Sequence, residues 1–503
     1  MRLRFHFFLL IINSKKTCFK EVNHYVKYLI AFCGVQFSNL CLAQESILFS
    51  NDQYSGISSV IISPTHTYLN PNPWDINLIA EDLFIQNDYG YISQQSYLGL
   101  KNSKIESANI KKNRTGENTP NVFDFYNKEV GNYHFSSDVL GPSFQFKLKI
   151  KDKDFAVGMF SRLRTQSSSV NVDNYLRFGN QDLPEPEHYT LKPLKINFMN
   201  WAEIGLNVAT EIFPYSDYQW IIGGNLKYEI GLDALNVDSN VPFELSRSYK
   251  DVNGVSQKSI VASNYDVETK FVTNYNFESK KYEYQQRGKG IGLDFGFTFL
   301  DRNKDAEGYN FKASFNLLDV GSVNFEGENH RLVGSPLELE NNPNFKNTKF
   351  KSPGQYFKLL SKEVYGDENA SLQGTDFTIG LPTSLHFNVS KNIAEHQYLN
   401  ADWVQRIPVF ENSLKRSNVF NVSYTVQKPV IGYGGSVSLY EYRQVQFGGY
   451  LRVGPLILGS ENIFPLIFKQ KKLHSGDFYI ALKLYPFWDN EMKRHRRANC
   501  NCK

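Results

Sequence analysis

The chain has 503 residues, a formal net charge of +4 and 41% hydrophobic residues. No apolar run of 18 or more residues occurs, so no membrane-spanning helix is expected beyond the N-terminal segment. The near-balanced charge carries no basic stripe and argues against a nucleic-acid partner. Aromatic residues make up 15%, a usage that suits strands and the girdles of a membrane barrel.

Lys27 precedes an apolar run, Tyr28 to Leu40, that ends at Cys41-Leu42-Ala43 before Gln44. A charged region, a short apolar region and a small residue define a signal peptide over 1–43, cut after Ala43. The 26 residues before Lys27 hold a second apolar patch, Phe5 to Ile12. That fits a long n-region or a start downstream of Met1 at a non-Met codon, since the next Met is Met159. Neither Cys33 nor Cys41 follows a small-residue box, so lipidation is not expected. Segment 1–43 carries six Lys/Arg against one Glu, which leaves the remainder near −1. Only Cys500 and Cys502 lie beyond it, so the body has no disulfide framework and no thiolate metal site. No cofactor is expected.

Residues 44–74 are rich in Ser, Asn and Pro and include Asn70-Pro71-Asn72-Pro73. Proline is poorly placed in a closed sheet, so this segment reads as a plug or lead-in entering the lumen. A first strand is expected within Asp75 to Gln86 or Tyr89 to Leu100. Ser143 to Gln166 reads as one hairpin: Phe144, Phe146, Leu148 and Ile150 alternate with Gln145, Lys147, Lys149 and Lys151. After a turn at 151–154, Phe155, Val157, Met159 and Leu163 alternate with Ala156, Gly158, Arg162 and Arg164. Each arm has about the 9–11 residues of a tilted strand crossing a bilayer, with one apolar and one wet face. The same alternation recurs in Ala202 to Ile212, Trp220 to Ile230, Ile291 to Phe299, Asn418 to Val426, Ile431 to Tyr440, Val445 to Val453 and Phe478 to Leu484.

Short connections are expected at 151–154, 213–217, 301–308, 391–396, 428–430 and 454–455. Long ones are expected at 167–199, 231–288, 327–374, 406–416 and 464–475, with 441–444 the one short exception on that side. Such parity belongs to periplasmic turns and extracellular loops. Thirteen strands from Ser143 to Phe487 plus one before them give an all-β chain. It is a single transmembrane antiparallel β-barrel of about 14 strands over 75–487, with an N-terminal plug. Residues 488–503 form a basic tail. A soluble sandwich, with shorter strands and more even turn spacing, fits less well.

The inward faces carry Lys147, Lys149, Arg162, Arg164, Glu203, Lys227, Glu229, Asp294, Arg452 and Lys483. These charges either pair internally or line a mixed-charge path, and pairing is the weightier reading because unpaired ions are costly away from water. Ser384, His386, Asn388 and Ser390 share one strand face. Residues two apart on a strand lie about 7 Å apart, too far for a hydrolytic relay. Asp301, Asn303, Asp305 and Glu307 resemble a calcium loop, but Ala306 and Lys312 occupy its glycine and closing glutamate positions. His495, Cys500 and Cys502 do not close a tetrahedral metal site. No enzymatic activity is expected.

Several short motifs carry a family resemblance. They are Tyr68-Leu69-Asn70-Pro71, Gly290 to Gly296, Leu317-Leu318-Asp319-Val320-Gly321, Leu381-Pro382-Thr383-Ser384-Leu385 and Gly476 to Lys483. The chain resembles a functionally uncharacterised family of outer-membrane barrels. It is more distantly similar to the long-chain fatty-acid transporter superfamily and to the shuttle barrel of type IX secretion. The resemblance implies about 14 strands and an N-terminal plug. The chain departs from it at Asn72, where relatives usually have a small residue, and in the residues after Phe487.

Two functions follow as expectations. One is transport of small or hydrophobic solutes across the outer membrane of a Gram-negative bacterium, gated by the plug around Asn70 and Pro71, with both termini periplasmic. It implies a side opening or an apolar ligand near Phe160 and Tyr440. The other is a surface role in which long loops at 231–288 and 327–374 engage secreted proteins or surface polymers. Outer-membrane lipid and the barrel assembly machinery are the general partners expected.

Overall fold

The computed structural model describes residues 46–101, 103–107, 119–126, 130–173, 188–213, 218–252, 254–302, 308–334, 336–338, 342, 344–345 and 348–486. The signal peptide, the basic tail with His495, Cys500 and Cys502, and positions 303–307 of the calcium-like turn lie outside them.

Fourteen antiparallel strands form a closed barrel. In chain order they are β1 (Trp74–Asn87), β2 (Val130–Leu140 and Ser143–Ile150), β3 (Lys153–Asp173), β4 (Lys195–Glu211), β5 (Tyr218–Ser239), β6 (Gly288–Arg302) and β7 (Tyr309–Val333). There follow β8 (Leu372–Gly380 and Ser384–Ala394), β9 (Gln397–Arg406), β10 (Val419–Gln427), β11 (Ile431–Tyr440), β12 (Gln444–Val453), β13 (Leu456–Ser460) and β14 (Ser475–Leu484). Each pairs with its neighbour, and β14 closes on β1 from Ile76↔Leu484 to Gln86↔Ser475. Closure removes the sheet edges that hydrocarbon cannot solvate.

Side-chain alternation sets the two faces. Leu206, Val208, Leu226, Tyr228, Ile291, Leu293, Phe420 and Leu451 point outward and are exposed, while Asn207, Asn225, Lys227 and Arg452 between them are buried in the lumen. Aromatic residues mark both rims of the outward band. Tyr218, Trp220, Phe297 and Phe299 pack ring against ring near the short turns. Trp403 Nε1 donates to the Tyr442 hydroxyl at 2.7 Å at the opposite end. An apolar band between aromatic girdles is the outer surface of an outer-membrane barrel.

The structure corrects the expected strand ends. Segments 167–173, 195–199, 231–239 and 327–333 are strand rather than loop, so β3, β5 and β7 reach 21, 22 and 25 residues. About ten residues cross the bilayer, so the surplus raises the wall above it. There the strand Asp266–Val272 takes the place of β6 and pairs with both β5 and β7. Gly90–Gln95 is also not a barrel strand. It belongs to a rim sheet with Val122–Phe125, Gln470–Leu473 and Glu106–Ser107. A second outer sheet joins His188–Leu191, Phe243–Val252, Val255–Ser263 and Leu337–Glu338.

β2 breaks at Gly141-Pro142, β7 bulges at Leu318-Asp319 and β8 breaks at Leu381-Pro382-Thr383. The last two lock together. Asp319 takes φ 55°, Leu381 N–H donates to Gly321 O at 2.9 Å, and Thr383 Oγ1 donates to Asp319 O at 2.7 Å. Two of the motifs quoted above are therefore one structural joint.

Candidate functional site: the plugged lumen

Residues 46–73 fold inside the barrel as two short helices, α1 (Ile47–Ser50) and α2 (His66–Leu69), joined through a 3-10 turn, Gly56–Ser59. Asn and Ser dominate the segment, and their side chains satisfy backbone groups that no sheet can reach. Asn70 Oδ1 accepts from both Asn72 N–H (3.0 Å) and Asn72 Nδ2 (3.2 Å), which folds the Asn-Pro-Asn-Pro turn. Asn70 Nδ2 donates to Asp75 Oδ2 at 2.9 Å, and Lys147 Nζ caps Asn70 O. Pro71 and Pro73, which have no N–H to satisfy, are exposed at the short-turn mouth.

One buried ion pair, Asp52–Arg452, anchors the plug, and a second, Asp75–Lys483 between β1 and β14, meets its backbone. Arg452 Nε donates to Asp52 Oδ2 at 2.9 Å, and its other nitrogens reach Pro429 O, Lys428 O and the Tyr485 hydroxyl. Its guanidinium also lies 4.9 Å from the Tyr54 ring centroid. Lys483 Nζ donates to Asp75 Oδ2 at 2.8 Å and to Tyr54 O at 3.0 Å. All four ionised side chains are fully buried.

Neutral polar contacts complete the seat. Thr65 bonds Thr298 (2.7 Å), Thr67 donates to Asn207 (2.6 Å), Asn207 donates to Pro64 O (2.9 Å) and Asn225 donates to Val60 O (2.9 Å). On the far wall Asn51 contacts Asp402, Asn388 and Gln427. Gly223 leaves room for the plug backbone, since a Cβ there would stand 2.7 Å from Pro64 O. His66 bonds Ser55 at 3.0 Å. Burial first, then the nearby Lys312, His386 and Lys483, hold its imidazole well below its ordinary pKa, so it is neutral.

Above the plug lies a charge network. Arg164 Nη1 meets Glu203 at 2.9 Å and Asp319 at 3.1 Å, Arg162 pairs with Asp138 and with Glu203 at 3.5 Å, and Lys227 pairs with Asp294 at 2.9 Å and with Asp319. Trp201 Nε1 donates to Glu203 at 2.8 Å, and Arg164 stacks on its ring. Arg162, Arg164, Glu203, Lys227 and Asp294 thus come together in one network, Arg452 and Lys483 hold the plug, and Lys147 caps the Asn70 carbonyl. Lys149 stands apart, exposed beside the turn. Glu229 faces Glu203 across the β4–β5 ladder, and neither of its carboxylate oxygens has a hydrogen-bond partner among the described residues.

The lumen is closed from the other end as well. Residues 412–418, at the end of the outer loop expected over 406–416, turn inward. Leu414 packs with Met199, Trp201, Phe325, Phe377 and Leu381. Ser413 O accepts from Asn197 at 3.2 Å, Lys415 O accepts from Gln166 at 3.1 Å, and Arg416 donates to Ser384. Sequence reasoning missed this loop, and it missed Asp52, Asp138 and Asp319. Phe160 and Tyr440 do face inward, but plug side chains cover them: Ile57 and Val60 on Phe160, Ile47 on Tyr440. Two cavities between plug and wall measure about 40 Å³ each, room for a water or two. His386 bonds Asp402 at 2.9 Å and Ser384 bonds Arg416, so the Ser–His–Asn face forms no hydrolytic relay.

Residues 89–461 match the model of a family of unknown function, DUF5723, and the chain belongs to that family. No curated protein matches. Among solved structures the chain is similar to the toluene transporter TbuX of Ralstonia pickettii, at 8% identity and a TM-score of 0.36, over 86% of this chain and 94% of that one. It is also similar to the toluene transporter TodX of P. putida, at 10% identity and a TM-score of 0.32 over the same shares. A FadL homologue of Pseudomonas aeruginosa follows, at 8% identity and a TM-score of 0.21, over 88% and 98%.

Proposed function

We propose that this barrel transports small or hydrophobic solutes across the outer membrane, with residues 46–73 as a gate that leaves its seat during passage. The observation that carries this is the chemistry of the seat. The plug is held by the Asp52–Arg452 ion pair, by Lys483 on its backbone and by many side-chain hydrogen bonds, and its buried apolar residues are split among separate clusters around Ile47, Leu48 and Phe49, Ile57 and Val60, and Tyr68. Water can replace polar contacts when the plug moves, which it cannot do for a large apolar interface. The end of β14 lies at the short-turn mouth, which is the periplasmic side in this reading, while Ile47 lies inside the lumen on Val404, Val419 and Tyr440.

A lateral route has support in the wall. β1 bulges at Leu78 beside the Gly141-Pro142 break of β2. Asn77 Nδ2 spans that break, donating to Leu140 O and Gly141 O at 3.1 Å each. One of the cavities, lined by Ser46, Phe49, Ala80 and Leu140, abuts it. The test is flux from proteoliposomes loaded with a small apolar fluorophore. Deleting 46–73 should raise the flux well above that of the intact chain. Equal flux, with the barrel still heat-modifiable, would reject the gate.

A further inference from the structure

β13 has 5 residues, against 10 in each of its neighbours β12 and β14. It stops at Ser460, and the chain leaves the wall for α5 (Ile463–Ile467) on the outer surface, where Phe464 packs edge-on against Phe447 at 5.3 Å. Beside it lies α3 (Tyr97–Leu100), whose Tyr97 ring covers Gly476 of β14. Between strand and helix the Glu461 side chain turns into the lumen, where its Oε1 accepts from Leu48 N–H of the plug at 2.7 Å. Glu461 N–H in turn donates to Asp477 Oδ1 of β14, and Ser460 Oγ donates to Asp477 O at 2.7 Å. Two carboxylates therefore stand side by side against α1, both buried.

Each keeps an oxygen unused. Glu461 Oε2 and Asp477 Oδ2 have no hydrogen-bond partner among the described residues, and neither does the Tyr479 hydroxyl, although Tyr479 is only 3% exposed. That hydroxyl is aimed at the acids. Its ring lies across Gly459, where a Cβ would stand 2.2 Å from it, and Glu461 and Asp477 are the charges that act on it most strongly. Ser436 Oγ closes the cluster over Gly448, whose Cβ would stand 2.4 Å from it and 3.1 Å from Glu461 Cα. No Lys, Arg or His pairs with either acid among the described residues. The charges that Glu461 feels most strongly are Asp477 and Asp402, both acidic.

Two carboxylates without a countercharge repel each other, and burying them uncompensated costs far more than a lost hydrogen bond. A hard cation removes both costs, because it takes oxygen ligands and neutralises the pair. We infer that Glu461, Asp477, Tyr479 and Ser436 hold a divalent cation of the calcium or magnesium class between β13, β14 and the plug. Glu461 Oε2 and Asp477 Oδ2 supply the charge, which matches a divalent ion, and the two hydroxyls supply neutral oxygens. No group of three or more His, Cys, Asp or Glu side chains gathers for a metal among the described residues, so hydroxyls and water complete the shell here. Tyr479 also lines one of the two water-sized cavities between plug and wall. The bound ion fixes Glu461 and so strengthens its hold on Leu48.

The experiment refolds the full chain in neutral detergent micelles and adds terbium, a calcium substitute that emits when a nearby tyrosine is excited. The parent should give emission that calcium displaces. E461Q and D477N should each lose it, and Y479F, which keeps both carboxylates, should dim it. Calcium should also slow protease cleavage within 46–73 in the parent, EDTA should reverse that, and D477N should cleave at one rate in both. Terbium binding is read without plug movement, so a failed gate leaves the site standing. Emission that E461Q and D477N leave unchanged overturns the proposal. So does a heat-modifiable parent with no calcium-displaceable emission, which would leave the pair neutralised by a proton.

Discussion

The plug inside the lumen and the cap above the wall are held by different mixtures of contacts. The plug is seated by Asp52–Arg452, by Lys483 on the Tyr54 carbonyl and by side-chain hydrogen bonds. The cap carries its own apolar core, in which Tyr265, Leu332, Phe345, Phe350 and Leu360 pack the outer sheet against helix α4 (Pro353–Tyr365). Loss of ion pairs frees a polar segment that water can solvate, whereas opening the cap exposes aromatic surface at a cost that grows with area. In the proposed gate the plug is the part that separates and the cap the part that stays.

The contrast breaks first at Arg452. Arg452→Ala leaves Asp52 buried without its cation and should weaken plug seating by about 3–5 kcal/mol, read as faster protease cleavage within 46–73 at an unchanged barrel melting temperature. Leu414→Ala removes the inward loop's apolar anchor and should cost about 2–5 kcal/mol. That loss should appear in the loop's hydrogen exchange, with the plug's exchange unaltered. Asn70→Ala removes the bonds to Asn72 and Asp75 and should loosen the plug by about 1–3 kcal/mol, by the same protease assay. Smallest is Ser352→Ala. Ser352 Oγ accepts from Gln355 N–H at 3.2 Å at the start of α4. Its loss should cost about 1 kcal/mol in cap exchange and leave plug cleavage unchanged.

Acidity separates the two ends further. His66 is buried neutral in the plug, with its pKa depressed below the ordinary value of about 6.5. A depressed histidine contributes full stability above the pKa of the released state. That contribution is lost as pH falls below about 6.5, because the released imidazole binds a proton that the seated one does not. Plug cleavage should therefore accelerate on acidification, and His66→Asn should flatten the dependence.

The barrel was legible because lipid demands a strict period of two. The hairpin from Ser143, the short turns and the strand count all follow from that alternation. Where the wall leaves the membrane the demand lapses, so 167–173, 231–239 and 327–333 read as polar loop although they are strand. The plug was legible from its prolines. Its partners were less so, since Arg452 and Asp52 are 400 residues apart in sequence, and Arg164 and Asp319 are 155 apart. Asp319 sat in a quoted motif, yet its inward carboxylate depends on the φ 55° bulge, which breaks the alternation used to assign faces. The segment 412–418 was misplaced because only Leu414 distinguishes it from an exposed loop.

Ion conductance across planar bilayers tests the central claim most directly. The parent should be closed, because plug and inward loop fill the lumen. Arg452→Ala should show discrete openings that the charge-swapped pair Asp52→Arg/Arg452→Asp suppresses. A parent that conducts steadily, or an Arg452→Ala barrel as silent as the parent, would contradict a gate held by the buried Asp52–Arg452 pair.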